Sequence, residues 1–363
     1  MMLLRLGTIG QHVVVDPAVT LISPHHLAVI TSWRGVTTAK GIQFHLADRT
    51  MEVDWTQDIT SNSYHMWSGF PLKWNPASAL LVTPDCLFLA GGSDRLLVNP
   101  ETGVVHVRVS GIGACTARAS QDGTRILVVE GQYLAEYDQL TLDLLRREPI
   151  PGGFWAFTSP VSGVLPIEEE SYDHTALWLF DRNLVWPLPE ARIIRGAPLI
   201  GNRLIVVPLG TGAPNGWMAL DVETGVPAWS VDSPRAEPPY PMSDAPEPFL
   251  NPGWTLGDEF LAATASPALL SIGMATGSIR WQIDLPSQPT AIGIVRDAAL
   301  IGLEDGSIIA IDAQTGERRG DAKLFGEDVF PISIVPLPDA DGVSSAVVIA
   351  RRGACFHIVP DLS

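Results

Sequence analysis

One short unit recurs along the chain and limits what the chain can fold into. The stretches LLVNPETGVVHV (96–107), AEYDQLTLDLL (135–145), ALDVETGVPAW (219–229), LSIGMATGSIRW (270–281) and IAIDAQTGERRG (309–320) share one plan. An alternating apolar strand meets an Asp-like residue, Thr-Gly or its equivalent follows, and a second strand leaves. FHLADRTMEVDW (44–55) and LWLFDRNLVWPL (177–188) are copies with a tighter turn. The turns open at Asp48, Asn99, Asp138, Asp181, Asp221, Gly273 and Asp312, and alignment of RRGACFHIV with EDGSIIAID puts Val359 at the same point. Successive gaps of 51, 39, 43, 40, 52, 39 and 47 residues match the period of four-stranded propeller blades.

The turn chemistry explains the residue types. Asp or Asn accepts hydrogen bonds from backbone N–H groups just ahead of it, Gly supplies a positive φ, and Thr tolerates the strand edge. A second strand precedes each unit and ends in a Gly- or Asp-rich turn: LFLAGGSDR, RILVVEGQY, RLIVVPLGTG, LIGLEDGS and VVIARRGA. Their apolar density is that of strands packed on both faces. The last unit lacks a closing strand, while LLRLGTI near the N-terminus belongs to no unit. The expected fold is therefore all-β: a single propeller domain over residues 1–363 with eight four-stranded antiparallel blades, seven being the alternative. The N-terminal strand completes the last blade and removes the open seam.

Composition supports this class and excludes several functions. Hydrophobic residues make up 46% and charged residues 17%, enough to bury a large core. The 33 Gly and 30 Pro spread along the chain suit short strands and turns. Against 23 Lys and Arg stand 40 Asp and Glu, a formal charge of −17 that repels nucleic acid and anionic membrane surfaces. Such a charge serves solubility, and a basic protein partner is the alternative reading. Cys86, Cys115 and Cys355 are odd in number, far apart and without a CxxC pair, so buried reduced thiols are expected. The opening MMLLRLGTIGQHVVVD has one Arg, and Gly, Gln11 and His12 interrupt its apolar stretch. It does not read as a signal peptide, and no run is long enough to span a membrane, so the expected location is cytoplasmic.

The best-preserved unit carries a resemblance. Ala219, Asp221, Thr224, Gly225 and Trp229 are similar, position for position, to the repeat of PQQ-like (quinoprotein-type) β-propellers. Thr276, Gly277 and Trp281 continue it, with Ser271 and Gly273 in place of Ala and Asp. Asp312, Thr315 and Gly316 keep it, with Gly320 where Trp would stand. The resemblance implies a WD-repeat-like architecture in which the Trp docks between adjacent blades. Quinone-dependent members carry a vicinal cysteine pair, which this sequence lacks, so no cofactor is expected. The resemblance points instead to the non-catalytic branch, whose members bind proteins.

Motifs of catalysis are missing: there is no GxSxG elbow, P-loop, strand-linked GxGxxG or HExxH. The densest ionisable cluster is Glu168, Glu169, Glu170, Asp173 and His174, where a strand passing into a loop would send alternate side chains to opposite faces. His25 and His26 diverge for the same reason. No catalytic residue and no metal ligand is therefore assigned, and a scaffold or adaptor is expected rather than an enzyme. The alternative is a small-ligand or metal-binding propeller, enzymatic or not, that uses its axial funnel.

Two insertions carry the functional expectation. TQDITSNSYHMWSGFPLKW (56–74) and DSPRAEPPYPMSDAPEPFLNPGW (232–254) each join an outer strand to the next inner strand, and so emerge on one face. Tyr64, His65, Trp67, Phe70 and Trp74 on the first, with Tyr240, Phe249 and Trp254 on the second, are the candidate partner-binding residues. Rigid amphipathic aromatics supply much of the energy of protein interfaces, and proline-rich loops stay extended.

Overall fold

The computed structural model describes residues 1–9, 18–33, 36–59, 77–91, 94–110, 117–120, 122–153, 163–168, 175–188, 199–200, 203–209, 216–232, 254–264, 267–324, 331–340, 343–350 and 353–360. Its strands are numbered in chain order and fall into eight sheets within two compact units.

The unit of residues 2–150 and 326–359 holds four sheets. One contains β2 (Ala18–Ser23), β3 (His26–Trp33), β4 (Val36–His45) and β5 (Thr50–Ile59). The next contains β6 (Ala77–Thr83), β7 (Cys86–Gly91), β8 (Asp94–Val98) and β9 (Val105–Ser110). A third is built of β10 (Ala117–Ala119), β11 (Arg125–Glu130), β12 (Tyr133–Asp138) and β13 (Leu144–Pro149). In the fourth, β29 (Pro331–Ala340), β30 (Val343–Ala350) and β31 (Ala354–Val359) are joined at the edge by β1 (Met2–Thr8). Met2 pairs with Val359 and Thr8 with Ala354, so the N-terminal strand does complete the last blade.

The other unit holds residues 151–325 with the two chain ends, Met1 and 360–363. Its sheets are β14 (Val164–Glu168), β15 (Thr175–Leu179) and β16 (Leu184–Leu188); β17 (Leu199–Ile200), β18 (Leu204–Leu209), β19 (Gly216–Asp221) and β20 (Pro227–Asp232); β21 (Trp254–Leu256), β22 (Glu259–Ala263), β23 (Ala268–Gly273) and β24 (Ile279–Asp284); and β25 (Pro289–Val295), β26 (Ala298–Leu303), β27 (Ser307–Asp312) and β28 (Arg318–Lys323). The β14 sheet shows three strands among the described residues, and the other seven show four. Every pairing is antiparallel, and apart from β1 with β31 each joins strands consecutive in the chain. The fold class is thus an all-β propeller with eight blades, not seven, and the described residues contain no α-helix.

Burial follows the sequence pattern. Middle strands such as β23 (ALLSIG) are buried at every position, because neighbouring sheets cover both faces. Fourth strands such as β9 (VHVRVS) and β24 (IRWQID) alternate between covered and exposed positions. The core clusters link consecutive sheets: Phe88 and Leu97 pack with Val128, Ala135 and Tyr137, while Val206 and Trp217 pack with Phe260 and Leu270. Each fully buried Phe or Leu here contributes about 1.5–3 kcal/mol of transfer free energy.

Candidate functional site

The repeat turn is a closed hydrogen-bonded cap. Asp221 Oδ1 accepts from the N–H groups of Glu223 (3.0 Å) and Thr224 (2.9 Å), and from the Thr224 hydroxyl (3.0 Å). The Gly225 N–H returns to the Asp221 carbonyl at 2.8 Å, with Gly225 at φ 70°. Thr224 does more than tolerate the strand edge: its hydroxyl also accepts the Val226 N–H at 3.3 Å. Asn99 with Thr102, Asp138 with Thr141 and Asp312 with Thr315 repeat the pattern. Gly273 has no side chain to cap with, yet Gly277 N–H still reaches its carbonyl at 2.8 Å, while Thr276 and Ser278 hydroxyls bond each other at 2.8 Å. At Asp48 and Asp181 the shorter turns place Arg49 (φ 58°) and Asn183 (φ 53°) in the left-handed region.

The tryptophans explain the other motif positions. A one-residue register shift precedes the turn, so Trp229 lies opposite Ala219, Trp281 opposite Ser271 and Trp55 opposite Gly41. A small residue opposite the indole leaves it room: a Cβ on Gly41 would sit 2.1 Å from Trp55 Nε1. Each indole then rests on the turn glycine of the following sheet. A Cβ would stand 2.7 Å from the Trp55 ring at Gly103, from Trp186 at Gly225 and from Trp229 at Gly277, and 2.8 Å from Trp281 at Gly316. Trp55 Nε1 donates to the Pro100 carbonyl at 2.9 Å and Trp229 Nε1 to the Met274 carbonyl at 3.0 Å. The turn glycine is thus doubly required, for its positive φ and as a seat for a ring. Sequence reasoning missed the second role, although a Trp one repeat ahead of each such Gly was the signal. Trp229 is only half-buried, stacked 6.4 Å from Phe260 at 14°, so it is less enclosed than its motif position suggests.

The insertions are placed by their flanks. Both are outer-to-inner connections, from β5 to β6 and from β20 to β21. Each leaves its sheet from the edge opposite the Asp-type turn, since the fourth strand begins at that turn and ends across the sheet. Their limits differ from the sequence reading. Thr56–Ile59 extends β5, because Ile59 is fully buried and pairs with Thr37. Asp232 ends β20, and Trp254 is the first residue of β21, paired with Leu261. Tyr64, His65, Trp67, Phe70, Trp74, Tyr240 and Phe249 lie outside the described residues. Where β5 ends, the Asp58 carbonyl accepts from Arg108, which pairs at 2.6 Å with the buried Asp94; the Ser110 hydroxyl donates to Asp94 at 2.8 Å.

The other ionisable candidates separate. Glu168 ends β14, and Glu169, Glu170, Asp173 and His174 lie outside the described residues. His26 opens β3, with Nε2 3.4 Å from Asp54, and burial lowers its pKa. Cys86 and Cys355 are buried free thiols, with Cys355 pushed up to about 12 by burial; Cys115 lies outside the described residues. Among the described residues no group of three His, Cys, Asp or Glu could hold a metal ion. Among the described residues no helix is long and apolar enough to cross a membrane.

Comparison with known proteins agrees with this geometry. Residues 180–299 match the family described as "Outer membrane protein assembly factor BamB", a PQQ-type repeat family. No curated protein matches the sequence. Among solved structures, BamB from Moraxella catarrhalis superposes with a TM-score of 0.58 at 11% identity, covering 98% of this chain and 97% of that one. A europium-containing methanol dehydrogenase gives 0.67 at 10% identity over 96% and 85%. The C-terminal WD40 domain of Sif2 gives 0.65 at 9% identity over 99% of both chains. At these identities the likeness is one of fold. The chain is thus a β-propeller in fold, and its similarity to the PQQ-type repeat family lies in residues 180–299, where Trp186 and Trp229 rest on turn glycines and Asp221 caps its turn.

Proposed function

We propose that this protein is a non-enzymatic scaffold or adaptor that binds another protein through the insertions 56–74 and 232–254. The observation that carries the reading is where these segments arise. Both leave from sheet edges opposite the tight repeat turns, on connections far longer than those turns, and they concentrate Trp, Tyr, Phe and Pro. Propellers of BamB and WD40 type are among the structures it resembles, which supports a protein partner in general terms. The formal charge of −17 favours a basic one, through faster encounter and salt-sensitive affinity. A cytoplasmic location belongs to the same proposal.

The test is a crosslinked pulldown from the native host with the full chain and with a Trp67→Ala/Tyr240→Ala variant. A partner should be captured by the parent and lost by the variant at unchanged thermal stability. Raising the salt should weaken capture. An identical set of captured proteins for the two would overturn the proposal.

A further inference from the structure

The second and third sheets, β6–β9 and β10–β13, meet differently from the Trp-seated pairs. In β9 the position taken elsewhere by the indole is Val107, opposite Leu97. The facing turn has Leu142 where the glycine would stand, at φ 55°, and its own buried side chain fills the seat. Apolar contact of this kind is non-directional and leaves sliding of one sheet on the other weakly opposed.

A buried charge network lies at the same junction. Arg95 on β8, fully buried, donates to Glu130 at the end of β11 at 2.5 Å. The Tyr137 hydroxyl on β12 donates to the same carboxylate, and Arg147 Nε on β13 stands 3.6 Å from its other oxygen. The Arg95 guanidinium lies 5.5 Å from the Tyr137 ring, and Arg147 stacks 4.2 Å over Tyr133. The Arg95–Glu130 pair joins two sheets, whereas Arg108–Asp94, Arg125–Glu136, Arg280–Glu259 and Arg319–Asp297 each stay within one.

We infer that this network is a conformational latch: it fixes how the third sheet docks on the second, where no indole does so. A buried ion pair adds little net stability over well-packed apolar residues, yet displacing one partner strands a charge in the core. Only the docked arrangement satisfies Glu130 from both sheets. The network therefore specifies geometry more than it adds stability.

Hydrogen exchange on the full chain tests this with two variants, Arg95→Met/Glu130→Met and Tyr137→Phe. Exchange of β11 and β12 amides should accelerate at least about threefold relative to those of β18 and β19, at a urea midpoint close to the parent's. If the double variant fails to fold, Tyr137→Phe decides by the same criterion. A smaller acceleration, or an equal one in β18 and β19, would overturn the latch.

Discussion

Substituting Gly277 by alanine isolates the role of the tryptophan seat. The residue has φ 69°, and a left-handed Ala costs about 1–2 kcal/mol wherever it stands. Gly123 (φ 64°) and Gly257 (φ 59°) share that conformation, with nothing within 4 Å of an added Cβ. At Gly277 the Cβ would lie 2.7 Å from Trp229 Cδ2 and Cε3, where a relaxed carbon contact needs about 3.5–4 Å. The indole must retreat by about 1 Å, straining its stack on Phe260 and its bond to the Met274 carbonyl. Overpacking of about 1–3 kcal/mol and a weakened hydrogen bond of about 0.5–1.5 kcal/mol are then added. Urea unfolding should show Gly277→Ala losing about 2.5–6.5 kcal/mol, against about 1–2 for Gly257→Ala or Gly123→Ala. With Trp229 already replaced by Ala, Gly277→Ala should cost only the backbone term, giving a coupling of about 1.5–4.5 kcal/mol. Equal losses at Gly277 and Gly257, or no coupling to Trp229, would refute the seat.

Two further outcomes follow from the turns and the thiols. The Leu140 and Thr141 N–H groups hold the Asp138 carboxyl below the ordinary carboxylate range, and the Thr224 and Glu223 N–H groups do the same for Asp221. Lowered folded pKa values add stability that is present at neutral pH and lost as pH falls through them. Asp138→Asn/Asp221→Asn, copying the Asn99 turn, should therefore flatten the acid limb of the urea midpoint against pH; an unchanged limb would contradict the caps. In a Cys115→Ser background, iodoacetamide at pH 8 should leave Cys86 and Cys355 unmodified until urea unfolds the protein, because burial raises both thiol pKa values. Prompt labelling of the native protein would count against their burial.

Much of the fold was legible because its signals are local. Asp221, Thr224 and Gly225 close a turn among themselves, so the same letters recur wherever the turn does. Strand alternation, blade number and the lone N-terminal strand followed from that period. The insertions were recognisable as long connections, but their limits were not: Ile59 continues β5 because a neighbouring strand pairs with it and the core covers it. The candidate binding residues on those insertions rest on residue type and connection, and Trp254 opens β21, paired with Leu261 of β22.

By itself, then, the sequence determined the architecture: a hydrogen-bonded turn and an alternating strand are set by residues within a few positions of one another. Tertiary structure alone decided what lies between sheets. It seats Trp229 on Gly277 and Trp281 on Gly316, fills the place of Gly with Leu142 where Val107 replaces the indole, and joins Arg95 to Glu130. These partners lie a full repeat apart along the chain. Their fit depends on volumes and charges meeting across a junction that only the assembled sheets create.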